Sequence, residues 1–386
     1  MEVNGLAKPE KYNIDKYRQQ QNRKRIIKKA LVIFVILLIG VVIAFVIEEL
    51  IQKNAHIVDS GVQFPINLKG VHPTSLQTSS QGLIVTGETE HFFYNLGAQK
   101  DNSRKHGLSN PVVKVQDNKI MTYDQGGRTI RLETRNGLLY NPLETQEQIL
   151  FAELSETDYI AMVTFEDRYN GSLTIYNHNM EQIYKYKDSQ SYMMAFDFID
   201  NQRGILATQQ VKDGNFNTII YGLDFHKKKE TEFLKLEIPN MMVYDVKVLS
   251  NESIQVVGDI GLITLDKKGE IINTYTYQND IRFIWDGSRN YILALENIVD
   301  ANDTDILIFS NEGEVKSQAK INGEAIDVFC DGNQIVLLDK NNIYEYNTSL
   351  ELLNTYPNLN KYVEVAVYGG KIYGMSSERL DKIGEN

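Results

Sequence analysis

The chain has 386 residues, one cysteine, and 51 acidic against 40 basic side chains, a formal charge of −11. The lone cysteine excludes an intramolecular disulfide, so stability must come from packing and strand pairing. The acidic balance makes nucleic acid a poor partner, because phosphate binding needs a basic surface.

The first element in chain order is an unbroken apolar run from Ala30 to Ile47. Arg23, Lys24, Arg25, Lys28 and Lys29 precede it, and Glu48 and Glu49 follow it. Eighteen uncharged residues rising about 1.5 Å each reach roughly 27 Å, close to the hydrocarbon thickness of a bilayer. The run is apolar on every face, unlike the single stripe of a core helix. A cleavable signal peptide would have a shorter apolar core ending at a small-x-small site, and Ala44-Phe45-Val46-Ile47-Glu48 offers none. No cysteine follows the run directly, which argues against a lipoprotein.

The expected layout is therefore a basic tail at 1–29, a transmembrane helix at 30–47, a linker at 48–56 and an external domain at 57–386. The tail carries nine Lys and Arg against three acidic residues, so it is expected in the cytoplasm. The part beyond Ile47 has 31 basic and 48 acidic residues and is expected outside the cell membrane.

Beyond the anchor, short runs rich in Val, Ile, Tyr and Phe alternate with Asn, Asp and Gly turns, the pattern of an all-β domain. The runs repeat. Val243 to Val248, Ala325 to Phe329 and Tyr362 to Val367 each open a unit, and second strands follow at Ser253 to Val257, Gln334 to Leu338 and Lys371 to Gly374. An outer hairpin, clearest from Gly261 to Ile272, recurs at Asp305 to Val315, Ser172 to Ile183 and Asn342 to Leu352.

Units begin near Leu76, Val113, Phe151, Phe196, Val246, Phe283, Val328 and Val365, the last four steps being 50, 37, 45 and 37 residues. Spacing near 40 with four strands per unit is that of propeller blades, and a β-sandwich predicts no such repetition. The fold expected is a β-propeller of seven or eight four-stranded blades; the first and third units are the weakest, which leaves seven open. The last unit has room for only three strands before Asn386. An unpaired blade edge invites aggregation, so the segment 57–68 is expected to supply the closing strand.

The phrase Leu265-Asp266-Lys267-Lys268-Gly269 resembles the repeats of quinoprotein (PQQ-like) propellers, where an Asp ends the third strand and a Gly turn leads to the fourth. The Trp that docks each blade on its neighbour in those repeats is missing. Tyr184, Tyr275 and Tyr277 are the nearest counterparts, and the only tryptophan is Trp285. The whole layout resembles a family of uncharacterised bacterial membrane-anchored propellers, the domain-of-unknown-function family DUF5711, within the quinoprotein-like or WD40-like superfamily. The resemblance implies the fold and not an activity.

Catalytic signatures are absent from the sequence. There is no His-Glu-x-x-His motif and no Gly-x-Ser-x-Gly elbow, and the six histidines are scattered. A quinoprotein dehydrogenase would need a calcium-ligating carboxylate set and a general-base Asp, and no residue maps to that base. Asp300 to Asp305 begins like a calcium loop, but Asp305 and Asn311 stand where Gly and Glu are required, so a solvated hairpin loop is expected. Cys330, in an apolar strand, is expected to be a buried, inert thiol. No catalytic residue, cofactor or metal ligand is assigned.

Aligned inner strands place Asp197, Asp245, Arg282, Asp327 and Glu364 together at the mouth of the central channel. Carboxylates there either cap backbone donors or form a charged mouth for a cation or basic peptide. The function expected is a non-enzymatic binding or scaffolding module of the cell envelope, its partner another envelope protein or a surface ligand. The alternative is a quinoprotein-like or glycan-processing enzyme.

Overall fold

The computed structural model describes residues 64–384 apart from 96–99, 228–230, 287–290, 301 and 333. The basic tail, the apolar run, the linker and residues 57–63 of the expected closing segment lie outside the described residues. Every regular element described is a strand, and the strands form eight antiparallel sheets arranged as propeller blades. The blades cover residues 73–105, 111–144, 149–188, 192–239, 243–276, 281–321 and 325–357, with 364–383 forming the eighth. Eight, not seven, is the blade number. In the second blade the outer position is split between two short strands, Gly137–Leu138 and Leu143–Glu144, both paired to Thr129–Thr134.

The eighth blade takes its outermost strand from ahead of the first. Ile66 pairs with Leu380 and Asn67 with Arg379, and the Leu68 N–H bonds the Glu378 carbonyl at 2.8 Å. Leu68 is fully buried and packs in one cluster with Leu76 of the first blade and Leu380 of the eighth, across the seam where the ring closes.

The blades cohere through their faces. Middle strands are buried along their whole length and are mostly apolar, as in Ile254–Gly258 and Gly261–Leu265, where Gln255 and Thr264 are the polar exceptions, whereas the outer strand Ile271–Thr276 alternates. Each apolar cluster of the core joins one blade to the next, such as Ala195, Ile205 and Ile220 with Val246, Val256 and Ile263. Tyrosines do the docking expected of the missing tryptophans. Tyr184 packs on Phe225 of the next blade at 5.3 Å and donates to Thr231 at 3.0 Å, and Tyr275 meets Phe309 edge-on at 5.1 Å.

The turns that lead into the outer strand share one local chemistry. Asp266 Oδ1 accepts the Lys268 and Glu270 N–H groups, and Gly269 takes φ of 85°, a region where a Cβ is costly. Asn177 and Asn347 accept the same pair of donors in their blades, and Ser310 does so through Oγ.

Candidate functional site

First strands of neighbouring blades touch around the ring axis, as Tyr192–Phe198 touches Val243–Val248, so their inward side chains line the central channel. In six blades a bulge interrupts the start of this strand, which re-aims the side chains on either side of it. The bulges resolve the five predicted charges into levels. Asp245 and Asp327 directly follow the bulged residues Tyr244 and Ile326, and Glu364 opens the first strand of the eighth blade. Asp197 lies deeper, three residues past the bulged Met194, and Arg282 is itself the bulged residue. The five charges therefore do not share one position, because the sequence alignment could not see where each bulge falls.

Asp197, Asp327 and Glu364 are tied to backbone donors of the next blade, and Asp245 to a side-chain hydroxyl there. Asp197 accepts the Phe198 N–H at 2.8 Å and the Val248 N–H at 2.7 Å. Asp327 accepts the Val328 N–H at 2.9 Å and the Val365 N–H at 2.8 Å. Glu364 accepts the Leu76 N–H, so this contact bridges the eighth blade to the first. Asp245 accepts the Val246 N–H at 2.9 Å and the hydroxyl of the fully buried Tyr291 at 2.9 Å. Arg282 faces Glu296 of its own blade at 4.0 Å.

Burial controls the ionisation of these groups. It pushes Asp197 up to about 7, against the pull of the Val248 N–H and Lys247, and Asp327 up to about 6, against its two backbone donors. It raises Glu364 to about 7, opposed by the Leu76 N–H and helped by Asp327. Asp245 is also raised by burial, with Tyr291 pulling the other way.

Three further channel residues escaped the sequence reading. Lys114 of the second blade contacts Glu153 of the third at 2.8 Å. Burial raises Glu153 and works to lower Lys114, but Lys114 ends above its usual value because the Glu153 charge and hydrogen bond outweigh its burial. Lys247 is lowered by burial although Asp197, Asp245 and Glu153 attract it, and it lies 5.9 Å from the Tyr291 ring. The available signal was strand parity. Residues two apart face the same way, so Asp245 implies Lys247, while Lys114 and Glu153 are charges inside otherwise apolar inner strands.

Replacing Tyr291 with Phe leaves Asp245 Oδ2 without its buried donor, and should cost about 1–3 kcal/mol of stability in urea unfolding. An unchanged midpoint would show that the hydroxyl is not a tie between the fifth and sixth blades.

A second polar cluster fills the seam between the first and second blades, where the apolar cluster is reduced to Ile84, Phe93 and Ile120. The fully buried Glu133 pairs with Arg104 at 2.8 Å and lies 3.5 Å from Arg131. His91 sits between the Thr86 and Thr122 hydroxyls at 3.1 Å each, 4.9 Å from the His106 ring. Burial, helped by His106, Arg131 and Arg104, pushes His91 down to about 3, so it is neutral. His106 Nε2 bonds the Gly87 carbonyl while its Nδ1 accepts the Leu108 N–H. These two histidines, scattered in sequence, thus meet in space, with their ring nitrogens engaged in structural bonds. Among the described residues no group of three or more His, Cys, Asp or Glu is disposed to hold a metal.

The described residues of the segment Asp300 to Asp305 lie where the second and third strands of the sixth blade meet, with Thr304 and Asp305 already in the third strand, and Asn297 bonds Asp305 at 2.8 and 2.9 Å. Cys330 is half-buried rather than buried, because it ends its strand, and its Sγ accepts the Gly332 N–H at 3.3 Å.

Among solved structures, BamB from Moraxella catarrhalis is similar to this chain with a TM-score of 0.54 and 12% identity, over 84% of this chain and 98% of that one. Hsv2 from Kluyveromyces lactis matches at 0.49 with 9% identity, over 75% of this chain and 99% of that one. At 12% identity the likeness to BamB is one of fold alone. No curated protein matches. The sequence profile of a family of unknown function matches residues 73–378, and the chain belongs to that family, DUF5711.

Proposed function

We propose that the chain is a non-enzymatic binding or scaffolding module held at the outer face of the cell membrane by a single span at 30–47. The observation that carries this reading is the use made of the channel carboxylates. Asp197, Asp327 and Glu364 each bond a backbone donor of the following blade, so the groups most available for acid–base or cation chemistry act as ties of the ring. What is left for function is the surface that an eight-bladed ring presents. The charge bias around the apolar run supports a cytoplasmic tail and an external ring.

Two measurements test the proposal. Protease added to intact cells with any wall removed should digest the portion from Asn54 to Asn386 and spare the tail. Protection until lysis would reverse the topology. Affinity purification of the full chain from detergent extract, with metal and cofactor analysis, should yield a stoichiometric protein partner and no cofactor. A stoichiometric cofactor would favour a quinoprotein-like enzyme instead.

A further inference from the structure

Because the strands of a blade alternate in direction, loops joining one blade to the next and loops joining second to third strands open on the same face of the ring. On that face the fifth and sixth blades present Tyr244, Ile260, Ile298 and Val299, the last 87% exposed. Their described loop residues, 259–260, 277–280, 297–300, 302–303 and 322–324, include Asp259, Asp280, Asp300, Asp303 and Glu324 and no Lys or Arg. The nearest cations are already engaged: Lys320 lies 2.7 Å from Asp303, and Arg282 lies 4.0 Å from Glu296. The sector is therefore both apolar and net negative.

A cavity of about 420 Å³ opens between these two blades. Tyr275, Leu295, Ile298 and Leu307 supply apolar wall, and Glu296 and Lys320 supply polar wall. Ile298 belongs to both the cavity and the exposed patch, so the two are continuous.

We infer that this sector docks a polypeptide segment whose apolar side chain is flanked by Lys or Arg. The inference rests on the reading of the ring as a binding module and names its surface and the chemistry of its partner. The apolar side chain enters the cavity beside Ile298, while the flanking cations meet Asp259, Asp280 and Asp300. Charge decides between occupants. An anionic lipid surface would be repelled by this rim, and a second copy would bring the same acids against it.

The test uses the full chain in cells, with a photo-crosslinking amino acid at Val299 or, as control, at Leu352 on the outer strand of the seventh blade. Position 299 should give a polypeptide adduct in at least about fivefold greater yield, and the captured peptide should be apolar and basic. Asp259→Asn, Asp280→Asn and Asp300→Asn together should lower that yield about tenfold, as expected when complementary rim charges guide association. Melting should not change, because Asn keeps the Oδ1 acceptors that bond the Met242 and Asn302 N–H groups.

An adduct with lipid, with a second copy or with an acidic segment overturns the inference. So do equal yields at 299 and 352, no adduct at 299, or a yield unaffected by the triple variant. A protein adduct at 352 and none at 299 would sink this site while leaving the binding module standing. No adduct from either position, with a cofactor bound to the purified chain, would remove both.

Discussion

Deleting Phe64–Leu68 is expected to unfold the ring, although these residues precede the first blade. Leu68 alone is fully buried across the closure seam, and truncating such a leucine costs about 2–5 kcal/mol. The deletion also removes the Ile66 and Asn67 pairings and the Phe64 ring that lies 5.3 Å from Tyr373. The combined loss should exceed about 5 kcal/mol, a large part of the 5–15 kcal/mol that stabilises a typical folded protein. The strand Arg379–Ile383 would become an open edge able to pair with other chains. Chemical unfolding and light scattering check both consequences, with Leu68→Ala as the milder comparison. A deleted chain with an unchanged unfolding midpoint and no aggregation would mean that the ring is closed by other contacts.

The second large effect is a loss of stability as pH rises from about 4 to about 7. Asp197, Asp327 and Glu364 are raised by burial from ordinary carboxyl values of 3.8, 3.8 and 4.5 to about 7, 6 and 7. Between those limits the folded chain holds protons that the unfolded chain has released, so each increment of pH favours unfolding. The stabilisation is fully present below the unfolded values and is gone above the folded ones. Each tenfold change in proton affinity is worth about 1.4 kcal/mol, so the three groups contribute on the order of 3–4.5 kcal/mol each as an upper limit.

Urea unfolding midpoints should therefore fall between pH 5 and pH 8. Glu364→Gln separates titration from bonding, because the Gln carbonyl can still accept the Leu76 N–H but carries no charge. It should be at least as stable as the parent at pH 8 and show a shallower pH dependence. A midpoint flat between pH 5 and 8, or a Gln variant with an unaltered slope, would show that these carboxylates ionise normally in the ring.

The parts of this fold legible from residue order are those whose causes lie within a few residues. Asp266, Asn177, Ser310 and Asn347 each organise a turn by bonding donors two and four positions ahead, which made the outer hairpins recognisable as a repeat. The middle strands were legible because burial on both faces leaves a mostly apolar run. Spacing between such runs then implies blades.

Only the tertiary structure decided what the inner charges do. Asp197 finds its second donor 51 residues ahead, Asp327 finds its own 38 ahead, and Glu364 meets Leu76 across a separation of 288. The meeting of His91 with His106 at a blade seam, the pairing of Lys114 with Glu153, and the acidic, apolar sector of the fifth and sixth blades arise in the same way. Sequence by itself determined the repeated four-strand unit and its local turns, because strand periodicity and turn capping are short-range. Which donor each carboxylate reaches, and which loops share a face, follow from the angle between blades and the closure of the ring, which the packing of all the seams sets together.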